Sequence, residues 1–287
     1  IIKICKNINF EIVVVNDASP DSSNEILLSL YNSYPEIITY IKLEKNAGEY
    51  NAVMAGLRNC KGNLAITVDD DLQHPPIEVL NLINESINSN FDVIYTEFKK
   101  YNYSFIRSYL SRFYNFTANI TLNKPQNIYL SSFKSIKRKV INEIIKYEGN
   151  YAYIDGLIFS STKNIGTFLV NHEFRKVGQS GYTLKKFAVH YGNLLFNFSI
   201  LPLRLLFLFG LFASSIIFIF LIIFTISKIG NPNITTGYPI LISLIIFFFI
   251  IQILFSNFII DYIGKILKII KKDKQYIIDF IKENKKK

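Results

Sequence analysis

Cysteine is scarce in this chain: Cys5 and Cys60 are the only two, and they stand far apart in no metal-ligand spacing. That excludes a disulfide framework and a zinc-ligand motif, and it suits a reducing compartment. The first residues hold no basic segment followed by an apolar one, so a signal peptide is not expected. Nor is the opening residue a methionine, and the expectation is a chain truncated at its start. Acidic residues are the minority, 22 against 32 lysines and arginines, for a formal net charge of +10. Such a balance can serve nucleic acid. Here, however, the lysines gather beside apolar stretches and at the C-terminus, which suits an anionic membrane surface, so no nucleic-acid partner is expected.

What is abundant is apolar side chain, 50% of 287 residues. This is enough for the core of one soluble domain and for membrane segments besides. An apolar run at 11–15 ends in Asn16-Asp17-Ala18-Ser19-Pro20 and reads as a buried strand entering a polar turn. A helix is expected from about Ser22, a strand at 37–43, a helix at 50–59, and a strand at 64–68 that stops at Asp69, Asp70 and Asp71. Pro75 and Pro76 open a further helix, continued by Val79, Leu82 and Ile83, before a strand at 91–95. This alternation predicts an α/β domain with a mainly parallel sheet, whose ligands sit beyond the carboxyl ends of the strands. A helical pattern at 101–123, rich in Tyr, Phe and Arg, suits either a surface that meets lipid headgroups or an ordinary amphipathic helix.

Beyond Gly192 the character changes. Residues 203–226 and 238–260 are nearly all apolar and long enough to cross a hydrocarbon core. Lys228 is the only lysine or arginine in the turn between them, whereas Lys185, Lys186 and Arg204 precede or open the first span and Lys265, Lys268, Lys271, Lys272 and Lys274 follow the second. The positive-inside rule puts both ends in the cytoplasm. Residues 187–199, with His190, read as an interfacial amphipathic helix, and the tail from Tyr276 reads as a cytoplasmic helix against an anionic leaflet.

Three adjacent aspartates after a buried strand repel one another unless they are solvated, hydrogen-bonded or neutralised by a cation. Mg²⁺ or Mn²⁺ would do this, taking one or two carboxylates and completing its shell with substrate phosphates and water. A solvated loop or helix cap is the plainer reading of the same turn. Its surroundings carry a resemblance. Val15-Asn16-Asp17-Ala18-Ser19, then Asn46-Ala47-Gly48-Glu49-Tyr50-Asn51-Ala52-Val53-Met54-Ala55-Gly56, then Asp69-Asp70-Asp71-Leu72-Gln73-His74-Pro75-Pro76 follow in order, and Arg175-Lys176-Val177-Gly178-Gln179-Ser180-Gly181-Tyr182 comes later. Together with the paired spans they resemble the inverting, GT-A-fold family 2 glycosyltransferases of the dolichyl-phosphate mannose synthase and bacterial polyprenyl-phosphate type.

That resemblance implies a Rossmann-like nucleotide-sugar domain over 1–185, an interfacial helix over 186–202, two transmembrane helices within 203–260, and a basic cytoplasmic tail over 261–287. It implies that Asp17, Gly48, Asp69, Asp70 and Gln73 bind the nucleotide-diphosphate sugar, Asp69 and Asp71 the metal, and Arg175 and Ser180 a phosphate of donor or acceptor. A guanidinium suits phosphate because its fork binds two oxygens at once. Gly48 and Gly56 would allow the donor a close backbone approach, or else serve a tight turn and helix packing.

Two departures stand out. The family opens with a strand that is expected to be missing here, since the sequence begins in what should be the following helix, and Tyr129-Leu130-Ser131-Ser132-Phe133-Lys134 holds no carboxylate where several members carry an aspartate. A lipid phosphate acceptor is already anionic and needs no strong base. A sugar hydroxyl does need one, and Asp155 is the candidate, with a helix-capping aspartate as the plainer reading. The catalytic set implied is therefore Asp71, Asp155 and Arg175. The activity implied is inverting sugar transfer to polyprenyl (undecaprenyl) phosphate at the bacterial inner membrane, for surface glycan synthesis. The alternatives are transfer to a hydroxyl of a lipid-linked glycan, and a non-catalytic scaffold of the same fold. Assembly as a homo-oligomer is compatible with either enzyme.

Overall fold

In the computed structural model, which describes residues 1–2, 4–5, 8–71, 73–98, 128–149, 152–171, 201–230, 237–270 and 274–285, the chain divides into two units. One is Ile1–Phe198 with Asp273–Lys287, the other Ser199–Lys272. The helical pattern of 101–123, Arg175, Ser180 and the interfacial segment up to residue 200 lie outside the described residues.

The first unit alternates strand and helix as its apolar runs predict. Strand β1 (Ile12–Asn16) leads to α1 (Ser23–Ser33), β2 (Ile38–Leu43), α2 (Glu49–Asn59), β3 (Leu64–Thr67) and α3 (Pro76–Asn88). Then follow β4 (Val93–Phe98), β5 (Lys134–Lys137), α4 (Arg138–Ile144), α5 (Ile154–Ser161) and β6 (Ile165–Val170). Neighbours order as β3-β5-β4-β6 in one sheet, and as β1-β2 plus a last strand, β7 (Ile278–Lys282), in the other. The pairing corrects the expected mainly parallel sheet. β1 with β2 and β4 with β6 are parallel, but β5 runs antiparallel to both its neighbours and β7 antiparallel to β2. An apolar run marks a strand as buried but carries no sign of its direction, which only the connections decide.

Among the described residues neither β1 nor β3 pairs on its remaining edge, and the apolar side chains of both are only half-buried. The two sheets are nevertheless stitched together. The Glu11 carboxylate accepts the amides of Lys61 and Gly62, joining the start of β1 to the start of β3. Helix α2 lies across both: Met54 and Leu57 enter the core of the β3-β5-β4-β6 sheet beside Val93, Tyr95 and Ile136, while Ala55 packs on Ile41 and Leu43 of β2. Successive strand residues point to opposite faces, so Ile94 turns away from Val93 and Tyr95 to meet Val79 and Leu82 of α3. Each fully buried aliphatic side chain of this kind contributes about 1.5–3 kcal/mol.

The second unit is a hairpin of α6 (Leu201–Gly230) and α7 (Gly237–Ile270). Both are long and apolar enough to cross a membrane, over Leu205–Ser227 and Leu244–Gly264. Phe207, Phe212 and Ile223 are among many exposed apolar side chains, surface that water would drive to aggregate and that hydrocarbon accepts. A Cβ at Gly210 would stand 3.0 Å from the Phe255 ring, so the small residue on α6 makes room for a large one on α7.

The tail is a second correction. Residues 261–270 continue α7, and 278–282 form β7 rather than a cytoplasmic helix on the leaflet. Ile278, Asp279 and Phe280 alternate with a period of two, and on the open edge of β2 the half-buried Phe280 lies edge-on to Tyr40, with ring centroids 5.4 Å apart. Tyr31 donates to the Glu283 carbonyl at 3.1 Å, and Asn284 Nδ2 to Glu11 at 3.1 Å.

Candidate active site at the carboxyl ends of β1 and β3

Asp17 follows β1 directly, and its two oxygens accept the amides of Ala47 at 2.7 Å and Gly48 at 2.9 Å. Asn46 donates to the Asp17 carbonyl at 3.2 Å. The carboxylate expected to meet the nucleotide thus fixes the loop that opens α2. Gly48 has φ +87°, a left-handed backbone that favours glycine, and open space beside its Cβ position, with nothing within 4 Å. At Gly56 a Cβ would meet Val15 at 3.5 Å, ordinary contact. Ala18, also left-handed at φ 54°, makes the turn after Asp17 a strained one, and the Ser19 amide donates to Asn16 Oδ1 at 2.8 Å to hold it.

The anchored loop places Glu49, the first residue of α2, near the acidic turn after β3. Burial raises the Glu49 pKa, the charges of Asp69 and Asp155 raise it further, and Lys134 partly offsets them. Asp69 is held down instead. Burial works to raise its pKa, but the neighbouring His74, a hydrogen bond from Ser132 and the charge of Lys134 outweigh it. Both carboxylates are open to solvent and yet feel burial, which is the signature of a cleft. Ser132 Oγ donates to Asp69 Oδ2, and His74 Nε2 stands 3.7 Å from the same oxygen. Among the described residues no hydrogen bond reaches Asp69 Oδ1. Asp71 Oδ1 accepts the Gln73 amide at 3.1 Å, and Asp70 is exposed.

Asp155 stands in the first turn of α5 and is buried. It caps nothing there. Its Oδ1 accepts the Tyr95 hydroxyl at 2.8 Å and pairs with the equally buried ammonium of Lys134. Burial, then the charge of Asp155, pushes the Tyr95 phenol well above its ordinary range, so it remains a donor. Asp155, the candidate general base, is thus paired with a lysine whose charge also acts on Asp69 and Glu49.

Glu49, Ser132 and Lys134 are the participants that sequence reasoning passed over as site residues. For Lys134 the signal available was a charged residue in a segment otherwise fit to be a strand. Asp69, Asp155, Glu49 and Lys134 come together, Asp17 joins them through the loop at Gly48, and Arg175 and Ser180 lie outside the described residues. Among the described residues no group of three or more His, Cys, Asp or Glu side chains is placed to hold a metal ion by itself. Asp69 presents an oxygen that no hydrogen bond reaches among the described residues, and a carboxylate so placed fits Mg²⁺ or Mn²⁺, which complete their shell from phosphates and water.

An α/β unit with acidic residues at its strand ends is followed along the chain by an apolar helical hairpin long enough to cross a membrane. The family model for glycosyl transferase family 2 matches residues 1–145, and the chain belongs to that family: it is a glycosyltransferase. It is 28% identical over 271 residues to the undecaprenyl-phosphate 4-deoxy-4-formamido-L-arabinose transferase of Edwardsiella ictaluri, covering 94% of this chain and 83% of that one. The transferase of the same name from Yersinia pestis is 27% identical over the same shares. Among solved structures, glucosyl-3-phosphoglycerate synthase from Mycobacterium tuberculosis in complex with Mn²⁺ and UDP-glucose aligns with a TM-score of 0.45 at 12% identity, over 64% of this chain and 65% of that one.

Proposed function

We propose that the protein transfers a sugar, with inversion, from a nucleotide-diphosphate sugar to undecaprenyl phosphate at the cytoplasmic face of a bacterial inner membrane. The observation that carries this is the reach of the similarity to undecaprenyl-phosphate transferases, 94% of the chain, which takes in the acidic cleft and the hairpin alike. Membrane topology supports it. The residues before and after the hairpin belong to one compact unit, so two crossings return the chain to the side on which it started, and the lysines that follow the second span make that side the cytoplasm.

In this reading Asp17 shapes the donor loop and Asp69 and Asp71 hold the diphosphate end of the donor. Arg175 and Ser180 meet the acceptor phosphate. A divalent cation, Mg²⁺ or Mn²⁺, supplies charge compensation for the departing diphosphate. The chain's own residues hold donor and acceptor in line. An acceptor phosphate attacks without losing a proton to a base, which agrees with the sequestration of Asp155 by Lys134. One observation favours a second reading, transfer to a hydroxyl of a lipid-linked glycan: Glu49 is a carboxylate in the cleft with a raised pKa, and it would serve there as the base in place of Asp155.

The test is transfer of radiolabelled sugar from UDP-, GDP- and dTDP-sugars to undecaprenyl phosphate, in membranes holding the protein or its Asp71→Ala variant. Metal-dependent transfer that the variant loses supports the proposal. Transfer only to a lipid-linked sugar moves the assignment to the second reading, and absence of metal-dependent nucleotide binding moves it to a scaffold.

A further inference from the structure

Ser132 belongs to the segment 129–134, which holds no carboxylate where several members of the family carry an aspartate, and its hydroxyl donates to Asp69 in the acidic turn. The turn that carries it is strapped by contacts that do not involve that hydroxyl. Thr67 Oγ1 donates to the Ser132 carbonyl, Thr96 Oγ1 donates to the Phe133 carbonyl at 2.7 Å, and the Phe133 amide donates to Ser131 Oγ at 3.2 Å. Phe133 itself is fully buried, and the buried His74 ring lies against it with centroids 4.7 Å apart. Ser132 and His74 are therefore both held by the core, and both address the same oxygen of Asp69, Oδ2. The other oxygen, Oδ1, accepts no hydrogen bond among the described residues. A carboxylate free to rotate would present either oxygen, or swing its charge away. One gripped on Oδ2 presents Oδ1 in a fixed direction, as an orienting partner does for a metal ligand.

We infer that Ser132, seconded by His74, is a positioning residue for Asp69, gripping Oδ2 so that Oδ1 is set to take the divalent cation of the donor diphosphate. The inference rests on the metal-dependent donor site proposed above. The experiment titrates Mn²⁺ into the purified protein in detergent micelles, with UDP, GDP or dTDP present, and follows bound Mn²⁺ by its electron paramagnetic resonance signal. The unmodified protein is compared with Ser132→Ala and Ser132→Thr, and the melting temperature of each is taken without metal. Ser132→Ala is expected to bind Mn²⁺ about tenfold more weakly, the lower end of what loss of an orienting partner costs. Its metal-free melting temperature should hold, and Ser132→Thr, which keeps the hydroxyl, should recover most of the affinity. Wild-type affinity in Ser132→Ala overturns the inference, as does equal loss in the alanine and threonine variants or a fall in melting temperature that accounts for the loss. Failure of the unmodified protein to bind Mn²⁺ with any of the nucleotides overturns the donor-site reading itself, a result distinct from the others.

Discussion

The two sheets of the first unit solve burial in different ways. The β1-β2-β7 sheet is built from apolar runs: Ile38, Tyr40, Ile41 and Leu43 are buried, and the sheet is closed on one edge by a strand that returns from beyond the hairpin. The β3-β5-β4-β6 sheet buries charge. Lys134 and Ser135 of β5 are as deeply enclosed as the isoleucine beside them, because Asp155 receives the ammonium and the Ser86 hydroxyl hydrogen-bonds that of Ser135 at 2.7 Å. An apolar strand needs only a neighbouring surface, whereas a buried polar strand needs named partners from other elements. The first sheet should therefore yield gradually to mutation and the second abruptly.

The largest effect expected is at Lys134. Lys134→Met leaves Asp155 buried without its cation and should destabilise the first unit by about 3–5 kcal/mol, read as a shift of the urea midpoint. Adding Asp155→Leu should recover most of that loss. If the single variant costs no more than a surface lysine, the contrast between the sheets is broken. Phe280→Ala, which strips the half-buried ring that β7 lays on Tyr40, should cost about 2 kcal/mol by the same measure. Gly48→Ala forces a side chain into the left-handed region and should cost about 1–2 kcal/mol. It should also loosen the Asp17 loop, seen as weaker nucleotide binding.

The smallest effect sharpens the comparison at the cleft. A carboxyl whose folded pKa is raised destabilises the fold once it ionises, so the Glu49 penalty is absent below the unfolded carboxylate pKa, grows as pH rises toward the folded value, and is constant above it. Glu49→Gln should therefore raise the metal-free melting temperature at neutral pH and leave it unchanged below about pH 4. A gain that persists at low pH would place the cause outside ionisation.

How far the site was legible follows from the same division. The strand ends at Asp17 and Asp69 could be read because an apolar run that stops at acidic residues is a local pattern, and three neighbouring carboxylates signal a charge that must be answered. Asp155 could be found as a residue but not as a role, since what decides it is Lys134 and Tyr95, which stand far from it along the chain. Ser132 and Glu49 carry no local signal, and the turn and helix start that they occupy would read the same anywhere on a surface. The tail was misread for another reason: its spacing of Ile and Phe fits a strand, but a strand needs an edge to join, and the sequence does not say that β2 has one open.

The sequence by itself determined the alternation of apolar strand and helix, the acidic turn, and the two spans long enough for hydrocarbon, because each depends on side chains within one continuous segment. Only the tertiary structure decided the strand directions, the return of β7 to β2, the burial of the Lys134–Asp155 pair and the grip of Ser132 on Asp69. Those depend on which distant segments meet, and a buried charge or a sheet edge has its energy set by the partner it finds.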